Sequence, residues 1–244
     1  MKAFIGLRLA IAISIGFWSL GCSDSSTTTS DEPQVQIYTQ LDATSVTPTS
    51  KNIGEPSITV NGQVADSLHI TRVRILISNM KLHMTKEDAL FGGHDVKVGP
   101  FLLNIDASGV YLNAASPIPV GIYDHIKFEI HKFTAAEVGT YLNDGVYSDF
   151  VTDDRYTIIV DGISYKNGIE YPFTYKSKST HNLTLNFLND IDVQVRTTHG
   201  ILVFMNPSAI FRDGNSVLDP RDPNNSNDIE KGIKLAFRAL KKLS

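Results

Sequence analysis

Cysteine is nearly absent from this chain, which has one in 244 residues. A single thiol excludes an internal disulfide, a thiolate zinc site, a paired-cysteine redox centre and an iron–sulfur cluster. Basic charge is also scarce, since 22 Lys and Arg face 26 Asp and Glu. A net charge of −4 without a basic cluster argues against a nucleic-acid partner, because phosphate binding needs a concentrated positive surface.

Glycine and proline are modest in number. Seventeen glycines and ten prolines are too few for a fibrous protein, while a hydrophobic share of 42% is too high for a disordered chain. The composition therefore predicts a globular protein, and the length favours one domain. Because no disulfide is possible, this domain must be stabilised by its hydrophobic core.

The apolar run at residues 9–20 is too short to cross a bilayer. As a helix it rises about 18 Å, whereas the hydrocarbon core is roughly 30 Å thick. Together with the basic residues Lys2 and Arg8, the run predicts a signal peptide over residues 1–21.

The end of this run resembles the lipobox of bacterial lipoproteins. In Ser19, Leu20, Gly21 and Cys22, a small residue precedes a cysteine that in that family is lipidated and becomes the first mature residue. The family usually has Leu where this chain has Ser19. The resemblance implies two or more acyl chains on Cys22, and each buried methylene contributes about 0.8 kcal/mol to attachment. An ordinary secretory signal and an uncleaved anchor are the alternatives.

Residues 23–34 contain nothing that could enter a core, so residues 22–34 are predicted to be a flexible tether. Residues 35–244 then form the folded domain. The lipoprotein resemblance and Ser23 imply a lipid-anchored protein of the cell envelope, in the outer membrane of a two-membrane bacterium. The expected partners are the membrane, bound through the lipid on Cys22, and an envelope protein or glycan.

Most of the domain alternates apolar and polar residues, as strands with one buried face do, and residues 122–131 are the clearest case. A change of parity at Ser78 predicts a bend or bulge. The dipeptides Asp-Gly at 161–162 and Asn-Gly at 167–168 predict hairpin turns. This pattern predicts an all-β fold, an antiparallel sandwich or barrel.

Two segments have helical patterns instead. Thr134 and Glu137 form a capping-box sequence, which predicts a short helix ending near Gly145. Asn227 followed by Glu230 opens an amphipathic run, which predicts a C-terminal helix over residues 227–242 docked on the sheet.

Three stretches resemble a family of bacterial lipoprotein domains of unknown function. They are residues 70–83 (ITRVRILISNMKLH), 101–106 (FLLNID) and 117–130, which contains the family's Pro-x-Gly-x-Tyr turn. The resemblance covers roughly residues 58–205 and implies a Greek-key β-sandwich with no established activity. The insertion at 134–155 and the C-terminal helix depart from the family, so a specific function is expected there.

The segment 219–230 (DPRDPNNSNDIE) is the densest run of oxygen ligands in the chain. Calcium takes six to eight oxygens, so its weak candidate ligands are Asp219, Asp222, Asp228 and Glu230. The spacing is not that of an EF-hand. A turn-rich loop whose Asn and Asp residues cap the following helix is the favoured alternative.

Other polar residues form no known signature. His125 and His131 lie about 20 Å apart along one strand, and His83 and His94 flank a predicted loop, so the histidines are interpreted as scattered surface residues. A weaker acidic group in the insertion consists of Asp149, Asp153 and Asp154.

No motif of a catalytic nucleophile or phosphate-binding loop is present in the sequence. We therefore expect a protein that is not an enzyme and has no cofactor, acting as a binding or surface-assembly module. A calcium-binding envelope protein and a hydrolase with a loop-built site are the alternatives, since carboxylates are plentiful.

Overall fold

The computed structural model describes residues 32–48, 62–87 and 96–242, with side chains through Phe237. Strands dominate these ranges, which confirms the prediction of an all-β, sandwich-like fold, and a short helix lies near the C-terminus. Cys22 and His94 lie outside the described residues, as does most of the predicted tether. Within these ranges, no helix is both long and apolar enough to span a bilayer.

The strands form four sheets, with orders β16-β13-β1-β8, β11-β10-β4-β2 (β7 also pairs with β4), β12-β9-β5-β6 and β14-β15-β3. In chain order the strands are β1 (Gln34–Leu41), β2 (Ser45–Val46), β3 (Val64–Ala65), β4 (Ser67–Ile77), β5 (Asn79–Met84), β6 (Val96–Val98), β7 (Phe101–Asp106), β8 (Tyr111–Pro117), β9 (Gly121–Ile130), β10 (Ile158–Lys166), β11 (Ile169–Ser177), β12 (His181–Val193), β13 (Thr198–Met205), β14 (Arg212–Asp213), β15 (Ser216–Leu218) and β16 (Phe237–Lys242). The helices are α1 (Ala135–Tyr141), α2 (Pro207–Phe211) and α3 (Ser226–Ile233), with 3₁₀ turns at Gly145–Tyr147 and Pro223–Asn225.

β9 shows how the period-two pattern becomes a strand. Ile126, Phe128 and Ile130 are buried and the residues between them are not, as the sequence predicts. Burying each such side chain contributes about 1.5–3 kcal/mol. The Pro-x-Gly-x-Tyr segment leads into the strand, and the hydroxyl of buried Tyr123, in β9, donates to the carbonyl of Pro119 at 2.9 Å.

The predicted bend at Ser78 is confirmed. Ser78 separates β4, which belongs to one sheet, from β5, which belongs to another. Its amide and its hydroxyl both donate to the carbonyl of Glu129, at 2.9 and 2.8 Å. One nearly continuous segment therefore serves two sheets.

The Asp-Gly dipeptide at 161–162 does not form the predicted hairpin turn. β10 continues through it, and the turn lies at the Asn-Gly dipeptide at 167–168. A Cβ atom on Gly162 would lie 2.5 Å from the carbonyl oxygen of His69 and 2.9 Å from the ring of Phe173. The glycine therefore allows a close approach at an irregular step of the β10-β4 pairing.

Among the described strands, the predicted antiparallel arrangement has one exception. β1 lies between β13 and β8, parallel to β13 and antiparallel to β8. A parallel pair needs a long connection, and residues 42–197 supply it. Alternation within a strand does not reveal the direction of its neighbour, so the sequence pattern missed this pair.

The 134–155 insertion covers one face of the sheet that contains β4, β7 and β10. Its helix α1 begins at the predicted capping box, in which the Glu137 carboxylate accepts from the Thr134 amide at 2.8 Å. Beneath it lies a second, smaller core made of Leu76, Leu102, Phe133, Phe150, Val151 and Ile159. On the strands, the residues next to Leu76, Leu102 and Ile159 point the other way, into the main core. With the insertion covering its second face, this sheet is buried on both sides.

The predicted helix over residues 227–242 is wrong in its second half. The helix is Ser226–Ile233, and Phe237–Lys242 is a strand paired antiparallel with β13. Near its end, a Cβ on Gly232 would lie 2.4 Å from the carbonyl oxygen of Ala209, so the glycine allows close contact with α2. The edge of β13 has backbone N–H and C=O groups that pair with those of Phe237–Lys242. These hydrogen bonds override the helical periodicity of that segment.

Candidate functional site

The sheet β12-β9-β5-β6 presents one polar side. Its inner side chains, among them Leu82, Phe128 and Leu185, belong to the main core. The outer side chains in the middle of this sheet are half-buried or exposed, and together we call them the polar face. They are Asn79, Lys81, His83, Lys97, His125, Lys127, Glu129, Asn182, Thr184 and Asn186. Ile122, Asp124 and Leu188 lie beyond the polar face, toward one end of β9 and β12.

Three lysines lie side by side across the polar face. Lys127 on β9 is opposite Lys81 on β5, and Lys81 is opposite Lys97 on β6. Thr184 on β12 continues the row beyond Lys127. Directly opposed residues on one face have Cβ atoms about 4.5–5.5 Å apart, and like charges there are destabilising. We call Lys81, Lys97 and Lys127 the lysine row.

Glu129 balances only part of this charge. Its carboxylate accepts hydrogen bonds from the Lys81 ammonium and from the Asn79 amide, the latter at 3.2 Å. The contact with Lys81 holds the pKa of Glu129 below its ordinary value. No carboxylate of the described residues forms an ion pair with Lys97 or Lys127. The polar face is therefore positive on a chain that is acidic as a whole.

Two histidines stack beside the lysine row. His83 and His125 are opposite each other in the β5-β9 register, with ring centroids 4.4 Å apart and planes 10° apart. The Nδ1 atom of His125 contacts the Asp124 carboxylate. Farther along, His131 Nε2 lies 3.2 Å from Asn182 Oδ1. The sequence alone predicts scattered histidines, because it does not show the β5-β9 register that places His83 opposite His125.

The first part of the predicted calcium segment forms a pocket of about 380 Å³. The buried carboxylate of Asp219 accepts from Arg221 Nε at 3.0 Å and Nη2 at 2.6 Å. Burial favours a raised pKa for Asp219, but the hydrogen bonds from Arg221 outweigh it and lower the pKa. Asp222 accepts the amide hydrogens of Asn224 at 2.9 Å and Gln63 at 2.8 Å, which lower its pKa.

The other two calcium candidates lie in different surroundings. Asp228 pairs with Lys231 at 2.7 Å. Glu230 accepts from the hydroxyls of Tyr175 and Ser177, each at 2.9 Å. All four candidates are engaged by protein donors, and the part of the chain with described side chains holds no metal-like group of three His, Cys, Asp or Glu residues.

Asn225 fixes the position of this loop. Sequence reasoning does not identify it, because it is one of several asparagines in the run. It is fully buried, and its Nδ2 donates to the carbonyl of Gln63 at 2.7 Å and to that of Asp219 at 2.9 Å. A buried amide is costly unless it is hydrogen-bonded. Asn225 therefore fastens the loop to the start of β3, in agreement with the structural alternative for this segment.

Tyr175, Ser177, His181 and Glu230 are the grouping most similar to a hydrolase site. Ser177 donates to the Glu230 carboxylate, and His181 Nε2 lies 3.8 Å from it. A serine nucleophile needs a base that takes its proton, most often a histidine, whereas this hydroxyl donates to a carboxylate. Burial favours a raised pKa for Glu230, but its hydrogen-bond donors, His181 first among them, lower it. The charged carboxylate joins α3 to β11 and β12.

The acidic group of the insertion is divided between separate ion pairs. Asp149 pairs with Arg74 at 2.5 Å. Asp154 pairs with Lys178 at 2.6 Å and accepts from the Tyr156 hydroxyl at 2.6 Å. Asp153, between them, forms no ion pair with a described residue. These contacts attach the insertion to neighbouring strands.

The chain matches no protein-family model, no curated protein and no solved structure.

Proposed function

We propose that this protein is a lipid-anchored, non-catalytic binding module of the cell envelope whose polar face binds an acidic glycan. The observation that carries the proposal is the lysine row, in which three ammonium groups lie side by side and only Lys81 pairs with a described carboxylate, that of Glu129. The lipobox-like sequence ending at Cys22 supports the anchor.

The lysine row has an energetic cost in the absence of a ligand. Like charges directly opposite each other on one face of a sheet are destabilising. Neither Lys97 nor Lys127 recovers this cost through an ion pair with a described residue. An anionic ligand bound across the row would relieve the repulsion, because lysine ammonium groups are compact charges that bind carboxylate or phosphate.

The chemistry of the rest of the polar face favours a glycan over a protein partner. The exposed side chains of β12 that lie opposite the paired residues of β9 are Asn182, Thr184 and Asn186, which supply amides and a hydroxyl for sugar hydroxyl groups, and the exposed Leu188 lies beyond this paired stretch. Protein interfaces usually have an aromatic or apolar centre. The ten residues that define the polar face include no aliphatic side chain, and their rings are the two stacked imidazoles.

The proposal is tested by electrophoresis of the full-length lipoprotein, in neutral detergent, through gels that contain polygalacturonate or neutral dextran. We expect polygalacturonate alone to retard the protein. Lys81→Gln/Lys127→Gln should weaken the retardation severalfold, because each exposed ion pair contributes about 0.2–1 kcal/mol. Added salt should weaken it further.

The matched control is Lys176→Gln/Lys178→Gln, which removes the same charge on and after β11, beside the Tyr156 ring. It should keep the retardation of the parent protein. Equal losses in the two double variants would indicate a general charge effect and reject the polar face as the site. A parent protein that passes both gels equally would reject the acidic glycan itself.

A further inference from the structure

Three parts of the fold meet where the described chain begins. The amide of Gln34 donates to the carbonyl of Thr197, in the connection from β12 to β13, at 2.9 Å. The amide of Ile118, in the connection from β8 to β9, donates to the carbonyl of Pro33 at 2.9 Å. We call this region, formed by residues 32–34, 117–122 and 192–198, the entry end of the domain.

The entry end exposes aliphatic side chains at its tips. Val195 is 66% exposed, Val120 is 47% exposed and Ile122 is 37% exposed. These side chains belong to two neighbouring segments of the chain, because Val193 is opposite Gly121 at the end of the β9-β12 pairing. Beside them is an open cleft of about 310 Å³ lined by Pro33, Pro117, Ile118, Pro119 and others.

The distance along the chain ties this end to the predicted anchor. Nine residues lie between Cys22 and Glu32, and the ten steps along this stretch span at most about 35 Å even when fully extended. β1 then carries the chain about 26 Å away from the entry end, at 3.3 Å per residue over its eight residues. The entry end is therefore the part of the domain nearest to the site of lipidation.

We propose that the entry end rests on the bilayer, with Val120 and Val195 in contact with the lipid interface; this inference rests on the proposed anchor at Cys22. The charged residues of this end are Glu32, Asp192 and Arg196. Because they do not form a basic patch, apolar contact and the short tether hold the domain to the surface. The contact fits a zwitterionic surface and is independent of the polar face.

The sequence offers a clean spectroscopic test. Its one tryptophan, Trp18, lies in the predicted signal peptide, so the mature chain has none. The full-length processed lipoprotein is reconstituted into phosphatidylcholine vesicles as Val195→Trp. We expect blue-shifted emission that is roughly halved when the vesicles contain brominated phosphatidylcholine, because a tryptophan at the interface lies within reach of the acyl chains.

The control is Ile169→Trp, at the β10-β11 hairpin, where Ile169 is 54% exposed. It should emit as in water and resist quenching by brominated lipid. If Val195→Trp floats with the vesicles but is quenched no more than the control, the orientation is wrong and the anchor stands. If the parent protein does not float with the vesicles, the anchor at Cys22 fails and this inference fails with it.

Discussion

At the scale of single residues, Gly162 shows how a local pattern can mislead. Asp-Gly between apolar residues is a common hairpin sequence, yet here the missing side chain makes room for the His69 carbonyl and the Phe173 ring. A tight turn and a close approach between strands both require a glycine. Only the close approach depends on which strand lies beside Gly162, and the local sequence does not show which strand that is.

We expect Gly162→Ala to lower the free energy of unfolding by about 1–3 kcal/mol, because the added methyl group must displace a strand carbonyl. Urea denaturation measures the change. Gly139→Ala is the control, since Gly139 lies in α1 with open space around its Cα, and a helical alanine there should be neutral or stabilising. Equal unfolding midpoints for parent and Gly162→Ala would contradict the close approach.

At the scale of elements, α3 is attached to the sheets by one carboxylate. Glu230 accepts from Tyr175 and Ser177 on β11 and lies beside His181 on β12. Its donors hold the pKa of Glu230 below the ordinary value of 4.5. A lowered pKa in the folded state means that the charged form stabilises the fold above pH 4.5 and that this stabilisation is lost as the pH falls through the lower pKa.

Glu230→Gln should therefore lower the melting temperature most at neutral pH, and the difference from the parent should shrink as the pH falls below 4.5. Thermal unfolding followed by circular dichroism from pH 3.5 to 7.5 measures it. Glu170→Gln changes the same charge at an exposed position on β11 and should leave a small difference across this range. A pH-independent difference for Glu230→Gln would show that the carboxylate charge does not hold α3.

The elements that could be predicted from sequence are those defined by local physics. The alternation in β9, the bend at Ser78 and the capping box at Thr134 each depend on neighbouring residues, and all three are confirmed. The strand β16 and the lysine row depend on which distant strands pair and in which register. Periodicity alone does not contain that information.

At the scale of the whole molecule, the predicted lipid on Cys22 determines where the domain is held. We expect Cys22→Ala to move the protein from the membrane fraction to the soluble fraction after carbonate washing, because no acyl chain can then be attached. Ser19→Leu, which supplies the usual lipobox residue, should remain in the membrane fraction. Retention of Cys22→Ala on the membrane would contradict lipidation at this residue.

The position of β1 has a consequence for how the molecule is made. β1 is the first strand of the described chain, yet it lies inside its sheet, between β8 and β13. Synthesis proceeds from the N-terminus, so β1 exists long before Thr198–Met205 has been added. Such distant pairing slows folding. The strand nearest the predicted anchor therefore gains its second hydrogen-bonded neighbour only after most of the chain has been synthesised.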